Sequence, residues 1–410
     1  MTAVDETAPA PQLPFSRPDV LDIAPEYDGL RRDRPVAAVT TPAGDPAWLA
    51  TGFTVVRDLL GDTRLGRSHP DPEHASRIND SAVQEGPSGD HETEAEDHRR
   101  MRRLLTPAFS ARRMRALGED VQALVDEGVD RMLAERETSP DGVVDLHAAL
   151  AFPLPVAVIC RLLGVPTADG DHFRELSDRM ATSDPAVDPH GAREEFGRYM
   201  AGLAEAKRAQ PGEDVISDLV AAYEADDDFR PEELVRLSVG LLFAGHETTV
   251  VQIGLGALLL LANRVQWQAL VDDPALVTNA VEEMLRARGT GGGGIPRYAR
   301  TDLVIDGVTV QAGDLVLLDN AAANHDPAVF ADPDRMDVTR STGAHLTFGH
   351  GARYCLGAPL ARIELETVFS QLVSRFPTLR LDVAVEDLRT RHDAVTGGLV
   401  ELPVRWDTAR

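Results

Sequence analysis

Cys355 carries a thiol whose setting could do chemistry. It sits in a loop punctuated by Gly349, Gly351 and Gly357, and the amphipathic run Leu360 to Phe376 after it reads as a helix. The thiol therefore lies at or just before a helix N-terminus. Free N–H groups and the positive end of the helix dipole favour an anion there and should lower the thiol pKa. The glycines let the backbone bend towards something large and flat. A thiolate held this way can be a nucleophile, a zinc ligand or a haem ligand. Each reading has a plain competitor. A lone Cys is most often a small buried hydrophobe. His345, His350 and Cys355 fit no common zinc spacing. A Cys–His nucleophile pair needs an orienting base that spacing cannot place. On spacing alone the readings stay open.

Two other groups could do chemistry. Ala244-Gly245-His246-Glu247-Thr248-Thr249 lies inside a long apolar stretch, Pro231 to Asn263. Gly weakens a helix interior and a buried Glu is costly unless paired, yet a core helix with a satisfied Glu explains the stretch equally well. The second group runs from His98 to Arg115, with seven arginines and no acid. His98 and Arg102 share a helix face, as do Arg99 and Arg103. A basic run is ordinarily a solvated face, but this one belongs to a chain of net charge −26.

The elements that must position these groups are mostly helical. Periodicity predicts helices near Val55–Leu60, from His98 onwards, and over Val121–Arg136, Pro155–Leu163, Ala168–Met180, Arg193–Ala209, Pro231–Asn263, Pro274–Arg288 and Leu360–Phe376. The longest would extend about 50 Å at 1.5 Å per residue. Short strands are expected at Val36–Thr41 and Trp48–Thr51. Asp306-Gly307 signals a hairpin between Leu303–Ile305 and Val308–Val310. Ser68 to Asp97 reads as a long loop, and Gly289 as a helix C-cap.

With 410 residues, the chain can bury a sizeable core. Residues 1–20 read as a disordered tail and 21–410 as one domain. No signal peptide is visible, and no run of about 20 unbroken apolar residues, so no membrane partner is expected. The acidity excludes nucleic acid as the main partner. Cys160 lies in an apolar run and reads as core, and two distant cysteines fit a reducing, cytoplasmic setting.

Phe348-Gly349-His350-Gly351-Ala352-Arg353-Tyr354-Cys355-Leu356-Gly357 resembles the haem-binding signature of the cytochrome P-450 family, and the resemblance runs from about Trp48 to Val404. Ala-Gly-x-Glu-Thr-Thr resembles that family's oxygen-activation motif. Glu283-x-x-Arg286 resembles its structural ion pair, with Arg335 as third member. The resemblance implies a mainly α fold with small β-sheets, a triangular helical prism around a buried haem b.

It further implies a monooxygenase using O2. Cys355 would be the iron ligand, and Glu247 and Thr248 would deliver protons. His98, Arg102, Arg297 and Arg353 would hold the haem propionates. Ala244, Gly245, Phe348, Gly349 and Gly357 would contact the cofactor. Phe243, Gly293, Gly294, Ile295, Gly398 and Leu399 would meet substrate, and Gly245 would open the helix for dioxygen. Electrons from NAD(P)H would arrive through a reductase and a ferredoxin docking on free arginines among Arg99, Arg103, Arg112 and Arg113. The protein would be a monomer oxidising an apolar natural product of polyketide or macrolide type. The same fold used with peroxide or for oxidative coupling, and a haem-binding protein without turnover, are the alternatives.

Overall fold

The computed structural model describes residues 10–79, 86–181, 187–225, 231–287, 293–341, 343, 345–391 and 397–407. Gly289, the expected helix C-cap, lies outside them.

The long apolar stretch forms one helix, Pro231–Ala262. A helix that is apolar around its whole circumference must be covered on every side. This one is surrounded by helices Pro153–Leu163, Pro189–Ala209, Val277–Ala287 and Ala358–Arg375. Leu242, Ile253, Leu258 and Leu260 have no exposed surface. Its Glu232–Ala262 part is long and apolar enough to cross a membrane by length and composition, but 83% of its apolar 18-residue window is buried inside the protein.

The architecture is mainly α with three small sheets, as expected. The five-stranded sheet has the order Val36–Thr40, Pro46–Ala50, Leu315–Leu318, Ile295–Ala299, Leu65–Gly66. In it Ile295 pairs with Leu318 and Arg297 with Val316. Val144–Asp145, Pro403–Arg405 and Arg380–Leu381 make a second sheet. The predicted hairpin forms the third, turning through Asp306 (φ 48°) and Gly307 (φ 81°).

Three expectations change. The basic helix begins at Glu94, inside the expected loop, and ends at Leu105. A 3-10 turn, Thr106–Phe109, then separates it from helix Ala111–Thr138, so the arginine run is two elements. The tail ends earlier than residue 20: Leu13 is buried and its N–H donates to the Thr40 carbonyl at 2.9 Å. The third member of the buried ion-pair network is Arg340, whose Nε reaches Glu283 Oε1 at 3.0 Å. Arg335 lies at the surface, paired with Asp337.

Candidate active site

The Cys355 loop is closed by its own backbone. The Cys355 N–H donates to the Phe348 carbonyl at 2.8 Å. Gly349 (φ 74°) and Gly351 (φ 70°) make the turns that bring those ends together. Gly351 also lies so near Gly61 that an added Cβ would stand 3.1 Å from the Gly61 Cα. Two arginines clamp the loop. Arg102 Nη1 donates to the Tyr354 carbonyl at 2.8 Å. Arg362 stacks on the Phe348 ring at 4.6 Å and holds Glu282 through two hydrogen bonds of 2.6 and 3.0 Å.

Above the loop opens a cavity of about 670 Å³. Cys355, Phe348 and Gly357 form part of its floor; Phe243, Ala244, Gly245 and Thr248 come from the long helix, and Gly294 and Ile295 from the start of a strand. The accessible surface of Cys355 faces this cavity, beneath the protein surface. Burial pushes its thiol up from the ordinary value, although the Gly357 and Ala358 N–H groups and Arg102 and Arg362 act the other way. The helix terminus alone therefore does not produce the expected thiolate, because desolvation outweighs it. A bound metal ion would deprotonate it outright.

The zinc reading fails on geometry. His345 turns to Glu282 at 3.2 Å, and among the described residues no three His, Cys, Asp or Glu side chains converge on one point.

Beside the cavity lies a crowd of cations. Burial, then Arg353 and Arg102, bring His98 down to about 4. Burial, then Arg353 and Arg67, bring Arg297 down to about 9. Arg67 is lowered too, by burial and by Arg353. The acid within this group is Glu94, which accepts from the N–H of Arg67 (2.7 Å) and Ser68 (3.1 Å), from Arg300 (3.2 Å) and from Arg353. One carboxylate shared among so many donors leaves positive charge unbalanced in a buried place, which is costly. A thiol on the floor and uncompensated cations at the side fit a flat ligand that carries a metal and two carboxylates.

The acid–alcohol pair splits between two environments. Thr248 lines the cavity, and its Oγ1 donates to the Ala244 carbonyl at 2.8 Å. Glu247 is buried away from it, with Arg391 Nη1 at 3.8 Å from its carboxylate. Gly245 does not interrupt the helix. Its demonstrable constraint is packing, since a Cβ there would meet Ile159 Cδ1 at 2.9 Å. Gly294 (φ 85°) is pressed against the Leu318 backbone, 2.8 Å from where a Cβ would sit.

Gly293, Gly398 and Leu399 do not line the cavity. Leu399 is core, 3.8 Å from the position of a Gly254 Cβ, and a Gly398 Cβ would stand 3.0 Å from Val251. The loop carrying Gly398 and Leu399 packs on the long helix instead, and a Gly293 Cβ would stand 4.0 Å from Leu13 Cδ1. Arg113 is not free either, because it donates to Asp218.

Sequence reasoning missed Arg67, Glu94 and Arg391, which reach the site from separate parts of the chain. It also missed Glu364, buried at the cavity with Oε2 lacking a hydrogen-bond partner and its pKa raised by burial. The spacing Glu94–His98, one helical turn, was the one signal available.

Residues 191–396 match the family model described as Cytochrome P450. Pentalenolactone synthase of Streptomyces exfoliatus is 41% identical over 97% of this chain and 99% of its own. Mycinamicin IV hydroxylase/epoxidase of Micromonospora griseorubida is 39% identical over 96% and 98%. Among solved structures, the mixed-function P450 MycG superposes with a TM-score of 0.87 at 38% identity, over 97% of this chain and all of that one. The putative thioether synthase SgvP gives 0.88 at 34%, over the same shares.

Proposed function

This chain belongs to the cytochrome P450 family, and from that premise we propose that it is a cytoplasmic, monomeric monooxygenase that tailors an apolar natural product by hydroxylation or epoxidation. One observation carries the reading: the Cys355 loop lies under a largely apolar cavity with Thr248 on its wall and an uncompensated cation cluster beside it. The chain acts as one catalytic domain, to which the segment around Leu13 also belongs.

Haem b fits the residues present. Cys355 would hold its iron, and His98, Arg102, Arg297 and Arg353, joined by Arg67, would hold its propionates. Two propionate charges would supply the anions that the crowded guanidiniums lack. Ala244, Gly245, Phe348, Gly349 and Gly357 would contact the cofactor. Bound there, a thiolate-ligated haem supplies dioxygen activation, with one oxygen going to substrate and the other to water.

The remaining roles fall to the protein's own side chains. Phe243, Gly294 and Ile295 shape the substrate space, and Gly293, Gly398 and Leu399 support that wall from behind. The Thr248 hydroxyl holds a proton at the cavity wall through Oγ1. The Glu247 carboxylate, with Arg391 Nη1 at 3.8 Å, passes protons to it from the far side of the helix. That pair favours O2 over peroxide as oxidant. Reducing equivalents come from NAD(P)H by way of a ferredoxin and its reductase. The exposed Arg99, Arg103 and Arg112 are the side chains offered to such an acidic partner.

The test is the spectrum of the reduced, carbon-monoxide-bound protein. We expect the red-shifted Soret band of a thiolate haem, its loss in Cys355→Ala and its retention in Cys160→Ala. An unchanged band in Cys355→Ala overturns the assignment.

A further inference from the structure

The cavity wall holds two guanidiniums to which the monooxygenase reading gives no task. Arg193, in the first turns of helix Pro189–Ala209, and Arg236, in the second turn of the long helix, both line it. The two helices meet beside them: a Cβ on Gly197, one turn after Arg193, would stand 3.5 Å from Val235 Cγ1. One turn beyond Arg236, Gly240 has open space where a side chain would be. The neighbouring wall is apolar, with Met180, Val239 and Phe243.

These charges are poorly answered by the protein. Arg193 has no carboxylate partner among the described residues. Glu233 lies 4.0 Å from Arg236 but closer to Arg100, at 3.4 Å. Among the described residues lining the cavity, the other charged types are Arg67, which belongs to the cation cluster, and Glu364. Glu364 is buried, and burial raises its pKa well above the ordinary carboxylate value. The charged lining is thus three guanidiniums and one carboxyl whose ionised form burial disfavours. The chain as a whole carries −26, so this pair is not part of a general basicity. Screening confines its pull to within about 8 Å at physiological salt, the range of a bound ligand.

We infer that the substrate is an organic acid: an apolar skeleton fills the cavity and its carboxylate is held by Arg193 and Arg236, away from the carbon presented over Cys355. The planar guanidinium fork suits a carboxylate. An amine on the same skeleton would meet two like charges, which discriminates against it. The inference deepens the proposed function and rests on it.

The test uses the haem-loaded enzyme and three probes with one skeleton: dehydroabietic acid, its methyl ester and dehydroabietylamine. Binding is read twice, by the low- to high-spin haem shift and by calorimetry. The acid should bind about tenfold more tightly than the ester and the amine most weakly. Arg193→Gln and Arg236→Gln should each weaken acid binding about fivefold, and the double variant should remove the preference while leaving the ester unchanged. Lys at both positions should restore part of it. Both side chains are exposed, so the variants should fold. Equal affinity for acid and ester in the wild type, a preference that survives the double variant, an amine that binds as well as the acid, or no binding by any probe overturns the inference. A preparation lacking the red-shifted carbon monoxide band instead fails the haem reading, which keeps the two failures apart.

Discussion

Replacing Glu283 by Gln removes one negative charge from a place with no solvent to compensate it. Glu283 and Arg286 are both fully buried. Arg286 donates to the two carboxylate oxygens at 2.7 and 2.9 Å and to the Asn324 carbonyl at 2.9 Å. The same carboxylate accepts from Arg340 at 3.0 Å and from the Asp337 N–H at 3.1 Å. The amide leaves two guanidiniums without a counterion and turns an NH2 towards one of them. Breaking a buried pair from one side costs about 3–5 kcal/mol, a large share of the roughly 5–15 kcal/mol that holds a protein folded. With an unfolding entropy of about 2.1 cal/mol/K per residue over 410 residues, the midpoint should fall by about 4–6 °C. Calorimetry of the haem-loaded protein measures it, with Glu401→Gln as control. That residue's pair with Arg389 is largely exposed and should contribute about 0–1 kcal/mol. A drop no larger than the control's would refute the view that this network organises the segment before the cysteine loop.

Thr248→Ala should still bind substrate and consume NAD(P)H, but with several-fold less product and more peroxide per NAD(P)H, because the cavity wall loses its hydroxyl; equal product yield on two different substrates would remove Thr248 from the proton path. Arg99→Glu with Arg103→Glu should slow reduction by a ferredoxin about tenfold or more at low salt, without changing substrate affinity; stopped-flow reduction at the wild-type rate would move the docking site elsewhere. Burial raises Glu282, yet hydrogen bonds from His345 and Arg362 outweigh it and bring the carboxyl down to about 2. Its folded pKa is depressed, so its stabilisation, up to about 3 kcal/mol, is present above the ordinary carboxylate pKa and is lost as pH falls from about 4.5 to 2. Glu282→Gln should flatten the acid limb of a stability profile across that window, and an unchanged slope would count against the assignment.

The cysteine loop was legible because its chemistry is contiguous. Ten successive residues carry the turn glycines, the thiol and one arginine, and local spacing is what a sequence displays. The cation cluster was half legible. His98, Arg102, Arg297 and Arg353 stood out by resemblance, but Arg67 and Glu94 join them only through the sheet and an early helix start. Glu94 was hidden because the charged residues before His98 show no apolar period, although its carboxylate accepts from the consecutive Arg67 and Ser68 N–H groups. Arg335 was chosen over Arg340 because both occupy an irregular segment where periodicity says nothing about direction. The free-arginine estimate failed at Arg113 because Asp218, its partner, lies 105 residues away. The thiol's pKa was misjudged because a sequence displays the helix terminus and not the depth of burial around it.

Ile295 and Arg297 stand two residues apart on one strand and so point to the same face. Ile295 lines the cavity and Arg297 belongs to the cation cluster. Their register against Leu318 and Val316 is locked where Gly294 touches the Leu318 backbone. The strand works as a fixed ruler: its height above the cysteine cannot be adjusted for one residue without displacing the other. Changes of substrate range at this wall are therefore confined to exchanging the Ile295 side chain on an unmoved backbone, and a library that varies loop length before Ile295 should yield variants that lose the cofactor before they gain a substrate.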